Sequence, residues 1–107
     1  MDEFLAATKK LMDDHERAEF VAYLAYHPMD GDLIPGTGGV RKIRWGLQGR
    51  GKRGGARVIY FFHDTEMPLY LLDAYAKNDR ANLTKGECNE LRQVTELIVK
   101  ANKQRRP

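Results

Sequence analysis

The chain contains no serine, and among its 107 residues it has one cysteine, Cys88. Without serine there is no serine nucleophile and no nucleophile elbow. A single cysteine can close neither an internal disulfide nor a cysteine-only metal site, and such a chain is expected in a reducing cytoplasm. His15 and His27 fall at the two ends of one predicted helix, His63 on a strand and Cys88 on a later helix, and none shows the short spacing that zinc ligands favour. No apolar run approaches the ~20 residues a membrane span requires. The first residues, Met1-Asp2-Glu3-Phe4, are acidic and do not read as a signal peptide. Repeats and linkers are also missing, and the length fits one domain over residues 1–107.

Acidic side chains are missing from one stretch in particular. Residues 36–60 hold seven Lys or Arg, no Asp or Glu, and eight of the ten glycines. The balance over residues 1–35 is −5, from three basic and eight acidic side chains, and over residues 61–107 it is +1, from eight and seven. The net charge of +3 is therefore the sum of an acidic start, a strongly basic middle and a nearly neutral end. A concentrated basic patch points to a polyanion more firmly than a high isoelectric point does. Glycine adds a backbone that another backbone can approach closely.

The periodicity predicts an α+β chain. Apolar positions Phe4, Leu5, Thr8, Leu11 and Met12 suit a helix over 3–12. Asp13 and Glu16 form a capping box opening a second helix over about 15–27, with Phe20, Val21, Leu24 and Ala25 as its apolar stripe. Pro28 disfavours helical geometry in the residue before it. The two helices make an N-terminal helical hairpin. Residues 29–39 read as a loop. From Val40 the period becomes two: Arg41, Ile43 and Trp45 point one way, Val40, Lys42 and Arg44 the other. A glycine-rich loop over 46–55 leads to a strand over 56–63, apolar on both faces and therefore central. A turn over 64–68 leads to a third strand over 69–76, giving a small antiparallel meander. Thr84 and Glu87 form a second capping box, opening a C-terminal helix whose apolar side carries Cys88, Leu91, Val94, Thr95, Ile98 and Ala101.

On this scaffold Lys42, Arg44, Arg50, Lys52, Arg53, Arg57 and Lys77 can converge around one groove, with Tyr60 or Tyr75 beside it. Arg57 stands out, because a charge inside an apolar central strand needs a partner or an opening to water. Gly36-Thr37-Gly38-Gly39 precedes a strand rather than opening a helix, so it is neither a Walker nor a Rossmann motif. A cationic groove suits RNA in two ways. It can hold phosphates. It can also promote cleavage, because the 2′-hydroxyl is an internal nucleophile. The protein then has only to position it, take its proton and stabilise the developing charge. A lysine crowded by cations gives up its proton more readily and can serve as base. Composition alone does not separate cleavage from binding.

Three segments carry a resemblance. They are Gly36-Thr37-Gly38-Gly39-Val40-Arg41-Lys42-Ile43-Arg44-Trp45, Gly51-Lys52-Arg53-Gly54-Gly55-Ala56-Arg57-Val58-Ile59-Tyr60 and Leu71-Leu72-Asp73-Ala74-Tyr75-Ala76-Lys77-Asn78-Asp79. The chain resembles the HigB-like branch of the RelE/ParE toxin superfamily over about residues 4–103. The resemblance implies a RelE-like fold, with a helical hairpin on an antiparallel sheet and then a C-terminal helix. It implies a type II toxin–antitoxin toxin: a ribosome-dependent endoribonuclease that cuts mRNA without metal or cofactor, acts in the cytoplasm and is neutralised by a helix-turn-helix antitoxin. By position, the family's catalytic cations fall on Lys42, Arg44, Arg57 and Lys77. Arg41, Arg50, Lys52 and Arg53 resemble RNA or ribosome contacts, with Tyr60 and Tyr75 the aromatic candidates. The last tyrosine is Tyr75, whereas some relatives use a later one.

Relatives also begin with a strand that pairs within the sheet. Here Met1-Asp2-Glu3 leads straight into the first predicted helix. Either the chain is truncated at a downstream start, or the sheet edge is left open; for an open edge, pairing to a second copy or to an antitoxin strand is the expectation. The other readings are a ParE-like toxin that inhibits DNA gyrase without nuclease activity, and a non-catalytic RNA-binding module.

Overall fold

The structure, a computed structural model, describes residues 12–47, 51–76 and 83–105. Its elements are α1 (Asp14–Tyr26), β1 (Asp32–Leu33), β2 (Val40–Leu47), β3 (Gly51–Phe61), β4 (Tyr70–Ala76) and α2 (Lys85–Arg105). The four strands form one antiparallel sheet in the order β1-β2-β3-β4. This is the expected α+β architecture, ending in a C-terminal helix. The helix predicted over 3–12, and with it the first half of the hairpin, lies outside the described residues. None of the described helices is long and apolar enough to cross a membrane.

Both predicted capping boxes are formed. The Glu16 N–H donates to Asp13 Oδ1 at 2.7 Å, and the Asp13 N–H to Glu16 Oε1 at 3.2 Å. At α2 the Glu87 N–H donates to Thr84 Oγ1 at 3.1 Å, and the Thr84 N–H to Glu87 Oε1 at 2.9 Å. Each box satisfies amides that the first helical turn leaves without partners.

Cross-strand registry sorts the sheet into two faces. One packs Ile43, Ala56, Val58, Tyr60, Leu71 and Ala74 against Phe20 and Leu24 of α1 and against Met12. The other packs Val40, Ile59, Phe61, Met67 and Tyr75 beneath Leu91, Ile98 and Val99 of α2. The stretch of β3 from Ala56 to Phe61 is buried on both sides, as its two-faced apolar pattern predicts. Each large apolar side chain taken fully out of water there contributes about 1.5–3 kcal/mol. A bulge in β4 sets two steps of that strand against one of β3, since Ile59 faces Asp73 while Tyr60 faces Leu71. The extra residue lets Leu71 and Ala74 share a face although they are three positions apart.

Three expectations need correction. Residues 29–39 are not all loop, because Asp32 and Leu33 pair with Lys42 and Arg41. The anticipated loop over 46–55 contracts to a hairpin in which Leu47 faces Gly51. The reason lies at Gly55. A Cβ there would stand 2.1 Å from the Trp45 carbonyl oxygen, so its glycine permits the close strand approach that a loop reading takes for slack. On α1, Phe20 and Leu24 are buried but Val21 and Ala25 face outward.

The turn before β2 seats α2. The Thr37 hydroxyl donates to the Ile34 carbonyl at 2.6 Å and accepts the Val40 N–H at 3.1 Å. The buried Thr95 hydroxyl reaches from α2 to the Thr37 carbonyl at 3.0 Å. Gly38 has φ +77°, and a Cβ there would lie 2.5 Å from Thr95 Oγ1. Gly38→Ala is therefore expected to cost about 1–3 kcal/mol from backbone strain alone. The added contact pushes α2 off the turn. Urea unfolding of the variant beside wild type measures the loss.

Candidate active site

The face beneath α2 changes character along its length. At one end lies the row Val40–Phe61–Tyr70, then Lys42–Ile59–Asp73, and finally Arg44–Arg57–Tyr75. The last row sets two arginines directly opposite each other on neighbouring strands. Like charges so placed destabilise a sheet, and here no described carboxylate forms an ion pair with Lys42, Arg44 or Arg57.

Arg57 is 8% exposed and its Nη1 is buried with no hydrogen-bond partner. Such a group normally costs about 1–3 kcal/mol, more when charged. Arg44, opposite it, is exposed, and Lys42 is half-buried next to Asp32 across the β1–β2 pair. Tyr75 is 6% exposed and closes the far side of Arg57. The row sets a buried arginine, one donor of which finds no partner among the described residues, between an exposed arginine and a buried tyrosine. Among the described residues no group of His, Cys, Asp and Glu has the arrangement to hold a metal ion.

The structure thus brings together Lys42, Arg44, Arg57 and Tyr75. Lys77 lies outside the described residues, one position past the end of β4. Arg50 also lies outside them. Lys52 and Arg53 belong to β3 by backbone, and their side chains lie outside the described part.

Two candidates sit elsewhere. Arg41 and Tyr60 face each other on the opposite side of the sheet, towards α1. Arg41 Nη1 donates to the carbonyls of Met29 and Gly31, at 3.1 and 2.7 Å. Tyr60 is fully buried. Its hydroxyl donates to the Pro28 carbonyl and accepts the Gly31 N–H, both at 2.8 Å. These two side chains hold the 28–31 loop, and neither faces the arginine row. The alternation in β2 already separated Arg41 from Lys42 and Arg44. Asp32 and Asp73, the carboxylates bordering Lys42 and Ile59, were not found in the sequence, because only strand registry brings them there.

Burial pushes the Tyr60 phenol above its ordinary value of 10.0, although the Gly31 hydrogen bond and Arg41 pull it down. A raised folded-state pKa favours the protonated phenol. The resulting stabilisation is complete below the unfolded value and is lost as pH rises through the folded one. Unfolding free energy is thus expected to fall above about pH 10, and Tyr60→Phe to flatten that fall. At neutral pH the same variant leaves the buried Gly31 N–H without its acceptor and costs about 1–3 kcal/mol. Urea titrations at pH 7 and 10.5 check both.

Residues 3–105 match the family described as RelE toxin of RelE / RelB toxin-antitoxin system. The match spans nearly the whole chain, covers every described strand and helix, and includes Lys42, Arg44, Arg57 and Tyr75. The chain belongs to the RelE toxin family and is a toxin of a type II toxin–antitoxin system.

Proposed function

We propose that this toxin is a ribosome-dependent mRNA endoribonuclease of the HigB-like branch, acting in the cytoplasm and restrained by a helix-turn-helix antitoxin. One observation carries the reading: a buried arginine, Arg57, with an unpartnered donor, held opposite the exposed Arg44 on the neighbouring strand. A fold retains such an arrangement at a cost, and a phosphodiester would offset that cost by accepting both guanidinium groups in charge-assisted hydrogen bonds.

In the reaction the 2′-oxygen attacks the adjacent phosphorus, the bond from phosphorus to the 5′-oxygen breaks, and a 2′,3′-cyclic phosphate and a 5′-hydroxyl result. Arg57 stabilises the charge that builds on the non-bridging oxygens, where a preorganised donor in a partly dry site has most effect. Arg44 holds the same phosphate from the solvent side. Lys42 and Lys77 are the proton carriers of this proposal. Lys52, Arg53 and Arg50, around the β2–β3 hairpin, contact ribosomal or messenger phosphates.

The test is primer extension on mRNA from a translation extract treated with the toxin. Cuts at codon spacing that vanish when ribosomes are omitted are expected. Intact mRNA beside inhibited DNA supercoiling would overturn the proposal in favour of gyrase. RNA retention without cuts would leave a binding module.

A further inference from the structure

One row along the sheet from the arginine pair, a cavity of about 370 Å³ opens between β1, β2 and the start of α2. Asp32 and Lys42 face each other across the β1–β2 pair, and both line it with Ile34, Pro35, Leu83 and Cys88. The volume falls within the roughly 300–1,000 Å³ of small-ligand sites. Lys42 and Arg44 stand two residues apart on one face of β2, so the cavity lies ~7 Å from the row that meets the phosphate in the proposed reaction. A single nucleotide spans that distance.

Both walls are held from outside the cavity. The Ile34 N–H donates to the Val40 carbonyl at 2.9 Å, and the Ile34 carbonyl accepts the Thr37 hydroxyl at 2.6 Å, which fixes Pro35 beside the strand. On the α2 side, the Thr84–Glu87 capping box and the Cys88 N–H, which donates to the Thr84 carbonyl at 2.9 Å, fix Leu83 and Cys88. Apolar side chains thus bound a slot in which one carboxylate, that of Asp32, stands exposed. Among the described residues Asp32 forms no ion pair, not even with Lys42.

We propose that this cavity is a guanine subsite and that Asp32 is the residue that reads the base. The proposal rests on the arginine row binding RNA, and it names the base carried beside the bound phosphate. Guanine presents two adjacent donors, N1–H and N2–H, on its Watson–Crick edge, and the two oxygens of one carboxylate accept both in parallel. Adenine and cytosine set one amino group beside an acceptor nitrogen, and uracil sets one N–H between two carbonyls. Each of these holds an acceptor against the second carboxylate oxygen. The base plane packs against Pro35 and Leu83, as bases drawn out of a stack lie against apolar side chains in other enzymes.

Cys88 is the single cysteine of the chain and its thiol is free, so alkylation by iodoacetamide reports on this cavity. The rate is measured on the full-length toxin against increasing guanosine, adenosine, cytidine and uridine 3′-monophosphates. The guanosine nucleotide is expected to protect Cys88 at a concentration about tenfold or more below the other three, because each of those loses a hydrogen bond to a charged group. Asp32→Asn replaces one acceptor oxygen with a donor at an exposed site. It is expected to fold as wild type and to be protected equally by all four. In a translation extract, wild-type cuts are expected beside a guanine at one fixed position, and Asp32→Asn cuts beside any base. Equal protection of the wild type by the four nucleotides, or no protection, would overturn the proposal. So would a guanine preference that survives in Asp32→Asn. A gain in affinity for all four by one factor would show that the carboxylate only offsets Lys42, and would overturn it too. The thiol readout needs no cutting, so it decides the subsite even where mRNA stays intact.

Discussion

Arg57→Met is expected to reduce mRNA cutting by about a hundred- to a thousandfold, the scale of losing one preorganised donor to transition-state charge, and at the same time to stabilise the fold. The two effects share one cause. Arg57 has 8% of its surface exposed and an Nη1 with no partner, and it faces Arg44 across β2 and β3. Methionine keeps the length of the aliphatic stem against Ile59 and Tyr75 while removing the buried charge and the like-charge opposition. Apolar replacement of buried ionic groups stabilises other folds by about 1–4 kcal/mol, and a gain of that order is expected in urea unfolding at pH 7. Sites that hold strain or uncompensated charge for function commonly trade stability for activity in this way. Undiminished codon-spaced cutting by the variant in a translation extract would remove Arg57 from the chemistry. A loss of stability would show that its guanidinium is satisfied within the fold. Arg44→Met is expected to lose activity as well but to change stability little, because Arg44 is exposed.

Phe20→Ala is expected to cost about 3–5 kcal/mol, the usual range for deleting a buried phenyl ring. Phe20 is fully buried between α1 and the sheet, and its ring meets Trp45 edge-on, with centroids 5.1 Å apart and planes at 71°. That geometry contributes about 0.5–1.5 kcal/mol beyond the buried area. The loss is a large share of the roughly 5–15 kcal/mol that holds a domain together. The neighbouring Val21→Ala, at a site 44% exposed, is expected to stay within about 0.5 kcal/mol of wild type. Urea unfolding of both variants measures the contrast. Equal losses would mean that Val21 is also covered in solution.

The contrast between Phe20 and Val21 shows where sequence reading stops. Both belong to one apolar stripe, and a helical period cannot say which edge of a broad stripe meets the sheet. Val94 and Ala101 on α2 repeat the lesson: the period assigned them to the core, and the structure leaves them lining an open groove. Strand alternation is sharper, because a period of two leaves only two directions. It separated Lys42 and Arg44 from Ile43 and Trp45, and it placed Arg41 on the side where the structure puts it. Grouping Arg41 and Tyr60 with the RNA-facing cations set that alternation aside in favour of their position inside a basic stretch. Their side chains instead reach carbonyls and an amide of the 28–31 loop. The glycines misled in the other direction. A run that reads as loose loop is partly a tight hairpin, because Gly55 removes the side chain that would keep β2 and β3 apart.

By itself the sequence determined the α+β class, the caps of both helices, the central position of β3 and the location of a basic surface. Each of these follows from a local rule: a period, a capping pair or a charge count. The tertiary structure alone decided that Arg57 faces Arg44 and Tyr75, that one of its donors has no partner among the described residues, and that Asp32 and Lys42 share a cavity with the start of α2. Those facts depend on strand registry and on the angle at which α2 lies across the sheet. Both are set by packing between residues far apart in the chain, where no local pattern reaches.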